Sequence, residues 1–225
     1  MRTLLLRIYR LLYRAYGPQF WWPGETSFEV MVGAILTQNT SWKNVEKSIL
    51  CLKEKGALSP AGIRQLSRKE LASLIRSSGY FRIKTERLKT FIAFLFDEYG
   101  GNLLEMKRVP LQKLRKRLLS LKGIGPETAD SILLYGLKKP IFVVDAYTIR
   151  TLSRHGVVSE KASYEEMQNL FMKHLPHDEA VFNEYHALLV HLGKWVCKRV
   201  PKCDICPLKN VRCEAKGRRR QKGSI

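Results

Sequence analysis

The chain has 225 residues, of which 45% are hydrophobic, so it is long enough to bury a core and wholesale disorder is excluded. It contains 40 Lys and Arg residues against 20 Asp and Glu residues, which gives a formal net charge of +20. Such a charge is typical of a protein that binds a polyanion, with nucleic acid as the first candidate, although a ribosome-associated basic protein would have the same composition.

The first predicted element is an N-terminal amphipathic helix. Its apolar face consists of Leu4, Leu5, Ile8, Leu11 and Leu12. Arg7 and Arg10 interrupt the apolar run and no small-residue cleavage site follows, which argues against a signal peptide. No segment of the sequence is long and apolar enough to suggest a membrane span. We therefore expect an intracellular protein of the cytoplasm or nucleoid, whose cysteines stay reduced.

Helical periodicity continues through most of the chain, and turn signals that contain Gly or Pro separate the segments. The predicted helices cover Phe28–Leu36, Trp42–Leu52, Leu71–Ile75, Leu88–Phe96, Leu111–Leu119, Thr128–Leu137 and Glu179–Trp195. The β-like run Ile141–Val144 is too short and solitary to build a sheet. Short helices joined by short loops predict an all-α fold.

A predicted helical hairpin spans Leu118–Leu133. One helix ends at Lys122, the glycines Gly123 and Gly125 bracket an isoleucine, and Pro126 suits the first turn of the next helix. The unpaired amides at the start of that second helix, which includes Thr128, would suit a DNA phosphate. A plain packing corner between two helices is the alternative, and the basic charge of the chain favours the DNA contact.

An aspartate, Asp145, follows the apolar run Ile141–Val144 beyond the hairpin. Together with the hairpin it resembles the helix-hairpin-helix DNA glycosylase superfamily, which includes endonuclease III, over about Phe28 to Cys213. The resemblance implies that Asp145 is catalytic. A carboxylate there can stabilise the oxocarbenium-like sugar that forms when the N-glycosidic bond breaks, and it can orient or deprotonate water. An N-cap of the helix starting at Ala146 is the alternative role, and both can coexist.

Glu127 is the main departure from the family pattern and completes the predicted catalytic set with Asp145. Family members that also nick the strand carry a lysine at this point of the hairpin, where its amine forms a Schiff base with the sugar. A carboxylate cannot do this, and neither Lys122 nor the pair Lys138 and Lys139 obviously replaces it. The resemblance therefore implies a monofunctional glycosylase, unless Glu127 is only a first-turn acid that complements the helix dipole.

Four of the five cysteines, namely Cys197, Cys203, Cys206 and Cys213, lie close together near the C-terminus. Four thiolates suit a [4Fe–4S] cluster or structural zinc, but a zinc ribbon would prefer two Cys-x-x-Cys pairs and only one is present. The segment resembles the iron–sulfur loop of endonuclease III-like enzymes. The family's usual gaps between successive cysteines are six, two and five residues, whereas here they are five, two and six. We therefore predict a [4Fe–4S] cluster; Cys51 is predicted to be a core residue.

Three further segments resemble the parts of the family that read a damaged base, which must leave the stack before it is cleaved. Gln38 lies in a segment similar to the gap-filling loop, and Tyr80 in one similar to the wedge loop. Trp21, Trp22 and Trp42 belong to segments similar to the 3-methyladenine glycosylase branch, whose cationic substrates stack well on aromatic rings. Loop residues without function and tryptophans of the core are the respective alternatives.

The resemblance implies two helical lobes with a DNA cleft between them. Residues 28–141 form the lobe with the helix-hairpin-helix motif, and residues 1–27 with 142–225 form the lobe with the cluster loop. The predicted function is that of a monofunctional, monomeric DNA glycosylase that removes a damaged base, an alkylated purine, from double-stranded DNA. The alternatives are a bifunctional glycosylase and lyase acting on oxidised pyrimidines, an adenine-mismatch glycosylase and an inert DNA-binding module.

Overall fold

The computed structural model describes residues 1–22 and 24–211. These residues form twelve α-helices and no β-strand, which confirms the predicted all-α class. In chain order the helices are α1 (Arg2–Tyr16), α2 (Ser27–Leu36), α3 (Trp42–Glu54), α4 (Pro60–Gln65), α5 (Arg68–Leu74), α6 (Phe81–Tyr99), α7 (Leu103–Arg108), α8 (Leu111–Leu119), α9 (Pro126–Ser131), α10 (Ala146–Arg154), α11 (Tyr164–His174) and α12 (Glu179–Trp195). In the described part of the chain, no helix combines the length and hydrophobicity needed to cross a bilayer.

The chain divides into two compact units. The continuous unit is Trp22–Lys139, and the split unit combines Met1–Trp21 with Pro140–Ile225. The continuous unit contains α2 to α9, and the split unit contains α1 and α10 to α12.

The centre of the continuous unit is α2, whose residues from Phe28 to Leu36 are all buried. A helix that is buried on every side needs neighbours all round it. Thr26 caps its first turn by accepting a hydrogen bond from the amide of Glu29 at 3.1 Å. The helix ends just before the loop that carries Gln38, so a fixed core element sets where that loop begins.

The second helix of the hairpin differs from its prediction. The sequence predicts one helix over Thr128–Leu137, whereas α9 begins at Pro126 and gives way to a π-helical segment, Ile132–Gly136. The amide of Leu137 bonds to the carbonyl of Ile132 at 3.1 Å, which is the wider π spacing. Gly136 meets the side chain of Met31 so closely that an added Cβ would lie 2.7 Å from it. Close packing on α2 thus accompanies the change of helix type.

In the split unit, the run Ile141–Val144 is a fully buried segment without regular secondary structure. Two side chains of α11 bind its backbone: Gln168 Nε2 donates to the Phe142 carbonyl at 2.7 Å, and the Val144 amide donates to the Tyr164 hydroxyl at 3.3 Å. The Phe142 ring stacks on Phe171 with centroids 3.6 Å apart. Because buried backbone groups need such partners, this segment holds the residue that follows it, Asp145, in a defined place.

Candidate active site and nucleic-acid contacts

The carboxylate of Asp145 caps α10. Its Oδ1 accepts a hydrogen bond from the Thr148 amide at 2.7 Å, and its Oδ2 lies 3.7 Å from Nε2 of His186 on α12. Burial alone raises the pKa of Asp145, but the contacts from His186 and Thr148 more than offset burial, so the pKa lies below its ordinary value. The side chain is 12% exposed. This arrangement provides an ionised carboxylate that is shielded but not sealed from solvent.

The hairpin brings together several of the residues that the sequence predicts to contact DNA. Gln38 Nε2 donates to the hydroxyl of Thr128 at 2.8 Å and to the carbonyl of Gly123 at 3.0 Å. Arg87 Nη1 donates to the side-chain oxygen of Gln38. The loop after α2 is therefore joined directly to the turn of the hairpin through one amide side chain.

The turn of the hairpin is largely exposed to solvent. Lys122, Gly123, Gly125 and Glu127 are exposed, whereas Thr128 is buried. Gly123 has a φ of 88°, a value that suits glycine, and an added Cβ would come within 2.6 Å of the Arg87 side chain. Glu127 lies in the first turn of α9, where the partial positive charge of the helix end favours an acid.

Tyr80 is exposed and has an unusual backbone conformation. Its φ of 47° and ψ of 30° are left-handed, and 67% of its surface is accessible. It lies immediately before α6, at the end of a 3-10 turn formed by Arg76–Ser78 and Gly79. The exposed ring is therefore available to a binding partner.

Two of the three predicted pocket tryptophans meet in the continuous unit. Trp22 and Trp42 are half-buried and pack edge to face, with ring centroids 5.4 Å apart. The ring of Tyr135, from the π-helical segment, lies 4.9 Å from Trp22 at an interplanar angle of 32°. Gly33 leaves room for both indoles, since an added Cβ would approach them to 3.3 and 3.5 Å. Trp21 is the last residue of the first part of the split unit.

Three cysteines of the C-terminal group line one pocket. Cys197, Cys203 and Cys206 share it with Arg154, whose Nη1 donates to Cys197 Sγ at 3.4 Å. Across residues 1–22 and 24–211, no three His, Cys, Asp or Glu side chains are gathered tightly enough to hold a metal ion. The fourth predicted ligand, Cys213, lies outside the described residues. Cys51 is a free, partly buried cysteine on α3.

Several residues of these sites have no distinguishing signal in the sequence. His186 and Tyr135 lie within predicted helices, where nothing in the local pattern sets them apart from core positions. Arg87 and Lys84 are two of the four Lys and Arg residues on α6. Only the three-dimensional structure shows that Arg87 bonds to Gln38 and that Lys84 bonds to the carbonyls of Leu36 and Ser78.

Comparison with known proteins identifies related sequences over most of the chain. The model of the HhH-GPD superfamily of base excision DNA repair proteins matches residues 32–177. A Methanocaldococcus jannaschii protein, provisionally named a DNA repair glycosylase, is 48% identical over 92% of this chain and 94% of its own length. Endonuclease III of Thermotoga maritima is 34% identical over 88% of this chain and 87% of its own.

A solved structure of a DNA glycosylase is also similar to this chain. The 3-methyladenine DNA glycosylase of H. pylori, crystallised with 1,N6-ethenoadenine, has a TM-score of 0.74 and 28% identity to this chain. The match covers 86% of this chain and 96% of the H. pylori chain.

Proposed function

Because the chain belongs to the HhH-GPD superfamily of base excision DNA repair proteins and is a DNA glycosylase, we propose that it is a monofunctional enzyme that releases alkylated purines from duplex DNA. The target base leaves the stack, its N-glycosidic bond is hydrolysed, and an intact strand with an abasic site remains. The observation that carries this proposal is the aromatic cluster of Trp22, Trp42 and Tyr135.

An alkylated purine is electron-poor and often cationic, so it is attracted to the faces of aromatic rings. Trp22 and Trp42 are only half-buried, which leaves ring surface available in a way that fully buried core tryptophans would not. The likeness to a 3-methyladenine glycosylase crystallised with an etheno-modified adenine supports the same substrate class. Trp21, the neighbour of Trp22 in sequence, completes the proposed substrate-binding set.

Asp145 stabilises the positive charge that develops on the sugar and orients the attacking water. Its low pKa keeps it ionised at neutral pH, and the Thr148 amide and His186 hold its two oxygens in place. Since an alkylated base is already a good leaving group, a carboxylate that acts on the sugar is sufficient. The cap that Asp145 provides to α10 is compatible with this role.

The presence of Glu127 supports the proposal that the enzyme has no lyase activity. It occupies the hairpin position where a Schiff-base lysine would stand, and a carboxylate cannot form an imine with the sugar. Glu127 lies in the exposed first turn of α9 rather than in the core.

DNA contacts come from the hairpin and the two loops joined to it. The backbone at Gly123 and Gly125, with the exposed Lys122, approaches a phosphate. Gln38 and Tyr80 act on the opened duplex, the first in the space left by the flipped base and the second as a wedge against the opposite strand. The hydroxyl of Thr128 accepts a hydrogen bond from the side chain of Gln38 and so fixes that loop.

Cys197, Cys203 and Cys206, with Cys213, would hold a [4Fe–4S] cluster. The donor set fits this group because three of the thiols line one pocket and an arginine donates a hydrogen bond to one of the sulfurs. These cysteines would hold the loop after α12 together through thiolate bonds to iron when the cluster is bound. Arg154 also donates to the carbonyl of Lys198 at 2.6 Å, so the loop is held from α10 as well.

The partner is double-stranded DNA containing a damaged base, and the enzyme acts as a monomer in the cytoplasm or nucleoid. The net charge of +20 supports binding to the phosphate backbone.

A panel of duplexes, each with one defined lesion, tests the substrate assignment. We expect faster release of 3-methyladenine and 1,N6-ethenoadenine than of thymine glycol, with undamaged duplex unaffected. The 34% sequence identity to an endonuclease III favours, as the second candidate, a bifunctional glycosylase and lyase that acts on oxidised pyrimidines. Preferential release of thymine glycol would select this candidate.

A further inference from the structure

Lys84 on α6 is a buried lysine that joins two separate loops. Only 1% of its surface is accessible. Its Nζ donates to the carbonyl of Leu36 at 2.8 Å and to the carbonyl of Ser78 at 2.6 Å. Leu36 is the last residue of α2, and Ser78 is the last residue of the 3-10 turn before Gly79 and Tyr80.

Each of the two carbonyls stands at the start of a loop that contains a left-handed residue other than glycine. Asn39, next to Gln38, has a φ of 53°, and Tyr80 has a φ of 47°. Such conformations are unfavourable for residues with a Cβ and persist only where the surroundings hold them. The ammonium of Lys84 donates a hydrogen bond to the base of both loops.

Burying this lysine works against the stability of the continuous unit. Burial, with a smaller contribution from the nearby charge of Arg87, lowers the pKa of Lys84 to about 8. An apolar side chain would fill the same space without the loss of hydration. A buried cation at this point is therefore better explained by the two carbonyls that it holds than by packing.

A second lysine on the same helix provides a comparison. Nζ of Lys89 donates to the carbonyls of Ile63 at 2.8 Å and Arg64 at 3.1 Å, and also to that of Leu66. All three carbonyls belong to the end of α4, so Lys89 closes one helix end. Lys84, in contrast, connects two segments that are far apart in sequence and that both carry a proposed DNA-reading side chain.

We propose that Lys84 is a positioning residue that sets the spacing between the loops of Gln38 and Tyr80, so that both side chains enter the duplex together when a base is extruded. This inference rests on the proposed function insofar as it requires base extrusion, but it does not depend on which base is removed. Pre-set loops lower the cost of ordering at the moment of binding, which is the advantage of preorganisation.

The first test measures duplex opening without chemistry. The probe is a duplex that carries a tetrahydrofuran abasic-site analogue with 2-aminopurine opposite it, whose fluorescence rises when that base unstacks. We expect wild-type protein at saturation to raise the fluorescence, Lys84→Met to give less than about half of that rise, and Lys84→Arg to restore most of it because the donor is kept. Lys89→Met is the matched control and should behave as wild type.

The second test uses single-turnover release of 1,N6-ethenoadenine from a paired duplex and from the same strand in an unpaired bubble. In the bubble the base is already unstacked, so Lys84→Met should be slower by about tenfold or more on the duplex and within about threefold of wild type on the bubble. Equal losses on both substrates, or a normal fluorescence rise in Lys84→Met, would overturn the proposal. Should Lys84→Met not fold, Lys84→Gln, which has a shorter and uncharged side chain, is judged by the same criteria.

The two tests separate this inference from the substrate assignment. If the wild-type protein releases no ethenoadenine but opens the probe duplex in a Lys84-dependent way, the alkylated-base assignment fails and the role of Lys84 stands. If the wild-type protein releases the base but Lys84→Met does so equally well from the paired duplex, the role of Lys84 fails and the substrate assignment stands.

Discussion

Nε2 of His186 lies 3.7 Å from Oδ2 of Asp145, while the other carboxylate oxygen of Asp145 accepts the Thr148 amide at 2.7 Å. The cap of α10 and the proposed stabilisation of the sugar cation thus share one side chain. Asp145→Asn keeps an oxygen for the cap and removes the negative charge, which makes it the variant that separates the two roles.

We expect Asp145→Asn to slow base release by about two to four orders of magnitude, the scale usual for a positioned carboxylate. Duplex affinity should be retained, because removing an acid from a basic surface reduces repulsion. Single-turnover kinetics and binding isotherms measure the two quantities. Asp178→Asn, which alters the cap of α12, is the matched control and should leave the rate unchanged. A normal rate of base release by Asp145→Asn would show that Asp145 acts only as a helix cap.

Trp42→Ala should lower the release of alkylated purines by about tenfold or more, since a stacking ring contributes about 1–3 kcal/mol to binding an unstacked base. Affinity for undamaged duplex should change little because phosphate contacts dominate it. Trp195→Ala removes an indole that is 53% exposed in the other unit and serves as the control. If Trp42 belongs only to the core, thermal stability and every activity will fall together.

Purified protein should be brown and contain about four irons per chain, as four thiolate ligands imply. Cys203→Ser should lower both the iron content and the solubility, whereas Cys51→Ser, at a cysteine outside the proposed ligand set, should lower neither. Elemental analysis with absorption spectra provides the measurement. Stoichiometric zinc in place of iron would contradict the assignment.

Because Lys84 is buried, the free energy of unfolding should depend on pH. Its pKa in the folded protein, about 8, lies below the ordinary value of 10.5, so between these values the unfolded chain binds more protons than the folded one. Stability therefore increases with pH in this window. Compared with Lys84→Met, which has no titrating group there, the wild-type protein should gain unfolding free energy between about pH 7 and about pH 10. Urea denaturation of both proteins measures the difference, and a decrease would contradict the burial argument.

The sequence predicts the parts of the fold that follow from local pattern. The all-α class, the hairpin turn and the helix beginning after Asp145 depend on periodicity, on glycines and proline in a short span, and on the capping preference of aspartate. The helix α11 was not among the predicted helices, although Ser163 and Glu166 form a capping box that signals its start.

Other features depend on contacts between distant segments and have no local signal. His186 meets Asp145 only because α12 packs on α10, and the change to a π-helix at Ile132–Gly136 accompanies close packing on α2. The spacing of Leu88 and Phe91 puts position 84 on the buried face of α6, but lysine usually prefers the surface, so the sequence alone does not indicate that Lys84 is buried.

The product of the reaction tests the central claim most directly. A duplex with one 1,N6-ethenoadenine is incubated with wild-type protein, and the strand is analysed with and without alkali, in parallel with a sample treated with borohydride. Since Glu127 stands where a Schiff-base lysine would be needed, we predict base release, a strand that breaks only after alkali, and no covalent protein–DNA adduct. Strand cleavage without alkali together with a borohydride-trapped adduct would contradict the account of a monofunctional glycosylase.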